Sequence, residues 1–462
     1  MRLFGSWRNR RLLLSGDKLQ FQSVHPSLVT TPSMTQSLFI LATAATGAAV
    51  LAATTNRIAL VPWKRSKNAH WTERARLLFP VRRAALLNLL AIPTTIALAG
   101  LLWESESSPR FIALFLTALV GCLFGQYLMQ RQIFPWLTFP RWFRSILSFY
   151  CFHLLRWSLF LVAIFLMPSE FNARAWAILA AVVSVHLLLL RGGTIHVARI
   201  TRLVTPAGET LRRIVTTCSQ RTRVRIRGIW IVHSFYCNAV ALPFSRDIAY
   251  TDRALEVLPE DEVSAICAHE IRHLTEPNLV LAGRVLASMI LLPTLALGPL
   301  CQRHGIWGFV GVLLFVCLGA SLARLLSRRM EVRADHIEQF SLAERQSYGS
   351  ALTRLYTENQ IPAAMPKRQT HPDLYDRLLA LGIQPDFSRP RRPSRLAWHG
   401  WLFSILVVLL WFVYIDRGMH NEKPVINGGS NGTELIRTPI LGHLLGVAPR
   451  AADDEYVRAR RR

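Results

Sequence analysis

The stretch CAHEIRHLTEP, residues 267–277, contains the string HEIRH from His269 to His273. On a helix, residues four apart share a face, so two imidazoles at this spacing can be presented to one zinc ion. Glu270 is rotated by about 100° from His269 and stands beside such a metal, where a carboxylate can take a proton from water. The residues before it support a helix. LPEDEV places Pro259 ahead of Glu260, Asp261 and Glu262, the composition that a helix N-terminus favours, and helical spacing continues to Leu274. The competing reading is an amphipathic helix beside a membrane, with both histidines as surface groups, so the neighbourhood has to decide.

The chain has 462 residues, 51% of them hydrophobic, and a positive mean hydropathy of +0.27 despite 54 Lys+Arg. Apolar blocks separated by basic stretches describe a polytopic membrane protein rather than a large soluble enzyme. A net charge of +26 raises the question of nucleic acid. The basic residues stand beside the apolar blocks, however, where membrane topology and anionic headgroups account for them, and no nucleic-acid partner is expected. The seven cysteines, at 122, 151, 218, 237, 267, 301 and 317, form no CxxC pair, which argues for buried free thiols over a disulfide framework or a Cys-rich zinc site.

Spanning the hydrocarbon layer takes about 20 mostly apolar residues. Five such runs precede HEIRH: Leu38–Ala53, Ala84–Trp103, Phe111–Met129, Ile146–Met167 and Ala175–Leu190. Two follow, Leu279–Leu300 and Ile306–Leu326, and Trp401–Ile415 is a candidate eighth. The connectors alternate between basic and non-basic, and the positive-inside rule puts HEIRH on the cytoplasmic side. That side belongs to a bacterial inner membrane, or to the endoplasmic reticulum in a eukaryote. The first 33 residues carry Arg2, Arg8, Arg10, Arg11 and Lys18 and fit poorly outside. Met34 is an alternative start, and the first run reads as an uncleaved anchor in preference to a signal-peptide core. His153 and Arg156 inside the fourth run point either to a bundle interior or to snorkelling side chains at a mis-set boundary.

Between Arg191 and Asn278 the pattern changes. RTRVRIRGIWIV, from Arg221, alternates with period two, the signature of a half-buried strand, and SFYCNAVALP reads as a second strand. The expected fold is therefore predominantly α, a helical membrane protein with about seven to eight transmembrane helices and a small α+β domain. Its organisation is a basic tail 1–34 that need not be translated, five spans in 35–190, a catalytic region 191–278, two spans in 279–326, a second catalytic region 327–395, a last span 399–415 and a tail 416–462.

Catalytic zinc needs a third protein ligand and an open position. Glu276 completes an i, i+4, i+7 set with the histidines but precedes Pro277, where the helix should end. Glu331, in SRRMEVRADHIEQF, shares a helix face with Asp335, so one can ligate while the other orients a ligand histidine. Two spans between His273 and Glu331 return the chain to the same face, which favours Glu331. Taken alone, SRRMEVRADHIE would be a solvated charged helix.

Four pieces together, NAVALP at 238–243, DEVSAICAHEIRH at 261–273, SRRMEVRAD at 327–335 and THPDLYDRLLAL at 370–381, resemble the membrane zinc metallopeptidases that include the CaaX prenyl protease and the HtpX heat-shock protease. The resemblance covers roughly 190–385, with the pieces in the family's order. It implies one zinc ion per chain held by His269, His273 and Glu331, Glu270 as the base that activates water, and Asp335 as the matching acidic partner. It further implies that Asn238 belongs to a substrate-aligning edge strand, that His371 contributes transition-state contacts, and that Arg377 contacts substrate. Without it, these last three would be a turn residue, a loop histidine and a solvated helix residue. The implied activity is zinc-dependent endoproteolysis of membrane-associated polypeptides. The rival readings are processing of lipidated C-termini, a sensor with a metallopeptidase-like domain, and a transporter with a coincidental motif.

Overall fold

The structure, a computed structural model, describes residues 10–15, 18–23, 34–103, 108–168, 170–335, 341–365, 372–398, 400, 402, 405–407 and 409. Seven helical stretches among them are long and apolar enough to cross a membrane: Met34–Ala59, Trp71–Ala99, Ile112–Ile133, Phe139–Ile164, Ala173–Ile200, Asn278–His304 and Ile306–Asp335. They coincide with the seven apolar runs, and the chain is an integral multi-pass membrane protein. The eighth run lies largely outside the described residues.

Lipid is as apolar as leucine, so helices in a bilayer associate through close packing of small residues rather than through the hydrophobic effect. The first and third spans show this. A Cβ on Gly121 would stand 2.0 Å from the Ala45 carbonyl oxygen, and one on Gly125 would stand 2.7 Å from the Ala52 Cβ. Both glycines are needed because the partner backbone occupies that space. In the fourth span, which has a π-helical turn at Tyr150–Leu154, Arg156 is half-buried while His153 faces outward against the Phe149 ring.

The sixth span departs from the expected single helix. It is a helix at Asn278–Ser288, a 3-10 segment at Leu292–Ala296 and a second helix at Leu297–His304. Pro293 and Pro299 have no N–H to continue a helix through this region, which accounts for the break. Gly305, at φ 58°, then turns the chain into the seventh span, Ile306–Asp335. Thirty helical residues measure about 45 Å against about 30 Å of hydrocarbon, so the last turns of this helix, with Glu331 and Asp335, project beyond the apolar layer.

A hairpin, β1 (Arg10–Ser15) and β2 (Lys18–Ser23), lies in the basic tail. The extramembrane sheet comprises β3 (Val204–Pro206), β4 (Gly228–Val232), β5 (Ala239–Leu242) and β6 (Asp247–Thr251), ordered β3-β4-β6-β5, with only β4 and β6 parallel. The expected strand from Arg221 is thus shorter than its alternation suggested. Helix Glu209–Thr222 takes its first two residues and ends with Arg223 in the left-handed conformation, φ 55°. Leu211, Val215 and Cys218, spaced i, i+4, i+7, bury in one core with Ile266, Cys267 and Ile271 of the HEIRH helix, and Val224 and Ile226 pack against the same core, so the period-two burial persists before strand pairing begins at Gly228. Six of the cysteines are buried free thiols, as expected, while Cys317 is exposed on the seventh span.

The HEIRH helix, Glu260–Leu274, opens with three acidic residues and has Arg272 in its last turn, both favourable to its dipole. Helix Leu342–Glu358, started by a Ser341–Glu344 capping box, packs beside it. Buried Glu262 joins the two, accepting from Ser350 at 2.6 Å and Arg354 at 2.9 Å. Arg82 of the second span donates to the carbonyls of Asn359, at 2.6 Å, and Gln360, tying this domain to the membrane helices. Replacing Gly121 by Leu should force the first and third spans apart at a cost of about 1–3 kcal/mol or more. A melting temperature in detergent equal to that of wild type would contradict this packing.

Candidate metal centre

The HEIRH helix and the projecting end of the seventh span meet at three donor groups. His269 Nε2 lies 3.9 Å from one Glu331 carboxylate oxygen and His273 Nε2 lies 3.7 Å from the other. Donor atoms of His269, His273 and Glu331 all fall within 4.8 Å of one another. Ligands about 2.1 Å from one tetrahedral ion stand about 3.4 Å apart, so modest closure brings this set onto a single metal. Glu331, rather than Glu276, is the carboxylate that faces both Nε2 atoms.

Each imidazole is held from behind at its other nitrogen. His269 Nδ1 is 2.8 Å from the Tyr348 hydroxyl, which donates to Asp335 Oδ1 at 2.8 Å. Arg377 Nη2 donates to Asp335 at 2.7 Å and to the Tyr348 oxygen at 2.8 Å. The proton placement follows. Tyr348 spends its single hydrogen on Asp335, because otherwise two oxygens would face each other with lone pairs only. Its oxygen must then accept from His269 Nδ1–H, which leaves the Nε2 lone pair for a metal. His273 Nδ1 is 3.0 Å from Glu276 Oε1, and Arg284 pairs with the same oxygen. This arrangement favours the same tautomer at His273.

The charges suit a cation. Burial pushes the His269 imidazole down to about 4, which keeps it neutral, as a ligand must be. Burial also pulls His273 down, but the Glu276 hydrogen bond and the charges of Glu270 and Glu331 outweigh it, and the net direction is up. A site whose carboxylates draw an imidazole toward protonation is one that a divalent ion neutralises. Two nitrogens and one carboxylate form a donor set that fits zinc with a position left open.

Glu270 Oε2 accepts the backbone N–H of Ala241, in β5, at 2.6 Å. β5 is the sheet's edge. The Thr251 N–H bonds the Asn238 carbonyl, so alternate residues 238, 240 and 242 face β6 while Ala239 and Ala241 present their backbone groups outward. The base candidate is thus anchored to an open strand edge. Asn238, exposed, sits at the start of that strand. Arg377 is buried and turned toward Asp335 and Tyr348, behind the site instead of at its mouth. His371 lies outside the described residues.

Three participants escaped the reading of the sequence. Tyr348 sits in a helix with no motif of its own, and only its position near HEIRH in space marks it. Glu276 was weighed as a ligand and instead orients His273. Asn359 accepts from the Cys237 N–H at 2.9 Å and donates to the Cys237 carbonyl at 2.6 Å, gripping the chain just before β5.

Residues 208–382 match the model of peptidase family M48. The resemblance drawn from the four motifs is borne out: this segment is similar to that family. Among relatives, the protein named Protease HtpX of Acinetobacter baumannii (strain AYE) is 26% identical over 211 residues, covering 37% of this chain and 70% of the relative. Protease HtpX of Pseudomonas entomophila (strain L48) is 27% identical over 207 residues, with the same coverage. A Protease HtpX homolog of Trichormus variabilis is 33% identical over 143 residues, covering 27% of this chain and 49% of the relative.

Tyr348→Phe removes the nearer acceptor of His269 Nδ1–H, leaving Asp335 Oδ1 at 3.3 Å, while keeping the ring. Metal affinity, measured by competition with a chromophoric chelator, should fall about 10- to 100-fold with helical content unchanged. Unaltered affinity would contradict the proposed orientation of His269.

Proposed function

We propose that the chain is a membrane-embedded zinc metalloendopeptidase, with one zinc ion per chain, that hydrolyses peptide bonds of membrane or membrane-associated polypeptides. The observation that carries this reading is the convergence of His269, His273 and Glu331 next to a carboxylate, Glu270, held against an open strand edge. Bound zinc supplies Lewis-acid chemistry, polarising a peptide carbonyl and acidifying water. This chain's residues do the rest.

An extended substrate adds to β5 through the outward backbone groups of Ala239 and the carbonyl of Ala241, whose N–H is held by Glu270, and Asn238 borders that register. Glu270 accepts a proton from the attacking water and delivers it to the amine of the departing peptide. His371 is the candidate for stabilising the oxyanion. Asp335 and Arg377 act through Tyr348 to hold His269, which makes Arg377 a positioning residue instead of a substrate contact.

The basic connectors favour a site on the cytoplasmic face, in a bacterium that of the inner membrane. The name Protease HtpX, shared by the relatives, favours general proteolysis over processing of lipidated C-termini. Zinc analysis and cleavage of an unfolded protein by purified wild type, Glu270→Gln and Glu331→Ala test the assignment. Glu270→Gln should keep stoichiometric zinc and lose roughly a hundred- to ten-thousand-fold in turnover, while Glu331→Ala should lose the metal. Full zinc in Glu331→Ala would remove Glu331 from the ligand set, cleavage surviving in Glu270→Gln would remove Glu270 as the base, and zinc-loaded wild type that cleaves nothing would point to a transporter or sensor.

A further inference from the structure

We propose that the cleft between the first and third spans binds the headgroup of an anionic phospholipid. The cleft, of about 490 Å³, is lined by Ala53, Thr54, Arg57, Leu128, Arg131 and Gln132. Its origin lies in the packing of the two helices. Gly121 meets Ala45 and Gly125 meets Ala49, so contacts advance together along both chains and the helices run parallel. Backbone contact holds to Ala52 and Gly125. Within two turns the small residues give way to Arg57 and Arg131, and the cleft lies between the helices there.

Among the described residues, no acid stands in that space beside the two guanidinium groups. Neither Met34–Ala59 nor Ser108–Ile133 contains an Asp or a Glu, and no acid lines the cleft. Both arginines lie in the last turn of their helix, where an apolar span gives way to water. Basic pockets between spans at this boundary recognise anionic headgroups, and two guanidiniums can grip a phosphodiester with paired hydrogen bonds. A second observation concerns Gln132. Its amide oxygen is buried and has no donor partner. Such an orphan acceptor asks for an O–H or N–H, and a headgroup that carries hydroxyls beside its phosphate has one to offer. Ala53 and Leu128 give the glycerol and the first acyl carbons an apolar wall.

The site stands apart from the metal centre and does not depend on the peptidase reading. Spans one, three and five end on the same side, where the extramembrane domain begins. Positive-inside topology alone would account for two basic residues here, but it requires no selective binding, and that difference is measurable.

The experiment uses the full chain, purified, stripped of lipid and placed in phosphatidylcholine nanodiscs with a trace of photoactivatable phosphatidylglycerol. Label should fall on 53–57 and 128–132, and unlabelled phosphatidylglycerol should compete at least about tenfold better than phosphatidylcholine. Arg57→Gln with Arg131→Gln should cut labelling about tenfold, Arg57→Lys with Arg131→Lys should keep most of it, and Arg199→Gln should leave it unchanged. Equal competition by phosphatidylcholine, or full labelling of the double Gln variant, overturns the proposal. Displacement by inorganic phosphate or glycerol 3-phosphate as effective as by lipid overturns it too, since the ligand would then be a soluble phosphate. Should the double Gln variant fail to fold, the position and competition of the wild-type label decide the matter.

Discussion

The site depends on two imidazole rings being held so that both Nε2 atoms look at one carboxylate. A ring nitrogen carries its lone pair toward a metal only if the other nitrogen keeps the proton, and a partner behind the ring decides which. Here the partners differ. Tyr348, Asp335 and Arg377 hold His269, drawing on three segments of chain, whereas Glu276 and Arg284 hold His273. The first clamp closes only when the end of the seventh span, the helix at 342–358 and the helix at 374–380 have all docked. Assembly of the metal centre is therefore coupled to assembly of the domain on the membrane helices.

The membrane part contributes reach and anchorage. A seventh span longer than the hydrocarbon layer carries Glu331 and Asp335 out to the HEIRH helix. The second span carries Arg82 to the carbonyls that end helix 342–358. From there Asn359 grips Cys237, β5 begins, and Ala241 bonds Glu270. A continuous run of hydrogen bonds and covalent chain thus links a membrane helix to Glu270, the proposed base. Closing such a run fixes the edge strand relative to the metal, and a peptide added to that edge needs this registry at its scissile bond.

Much of this was legible in the sequence for definite reasons. Apolar runs of span length are strong signals, and all seven that fall on described residues are helical, the sixth with a break. HEIRH and the Glu331–Asp335 pair were legible because i, i+4 spacing translates directly into a shared face. Composition misled where two periodicities competed. Arg221–Arg227 alternated like a strand, but the buried stripe Leu211, Val215, Cys218 carries a helix to Thr222, and the ladder begins only at Gly228. A continuous apolar run also hid the break in the sixth span, because hydropathy ignores the missing N–H groups of Pro293 and Pro299. Tyr348 and Asn359 were invisible since their partners lie 79 and 122 residues away, and no local pattern encodes such contacts.

X-ray absorption at the zinc edge of the purified chain tests the central claim most directly, because it reads the ligands themselves. The account predicts one zinc per chain with two imidazole nitrogens near 2.0–2.1 Å, the remaining shell made of oxygen, and the imidazole signature weakened in His273→Ala. A sulfur shell near 2.3 Å, a single imidazole, or no stoichiometric zinc would contradict it.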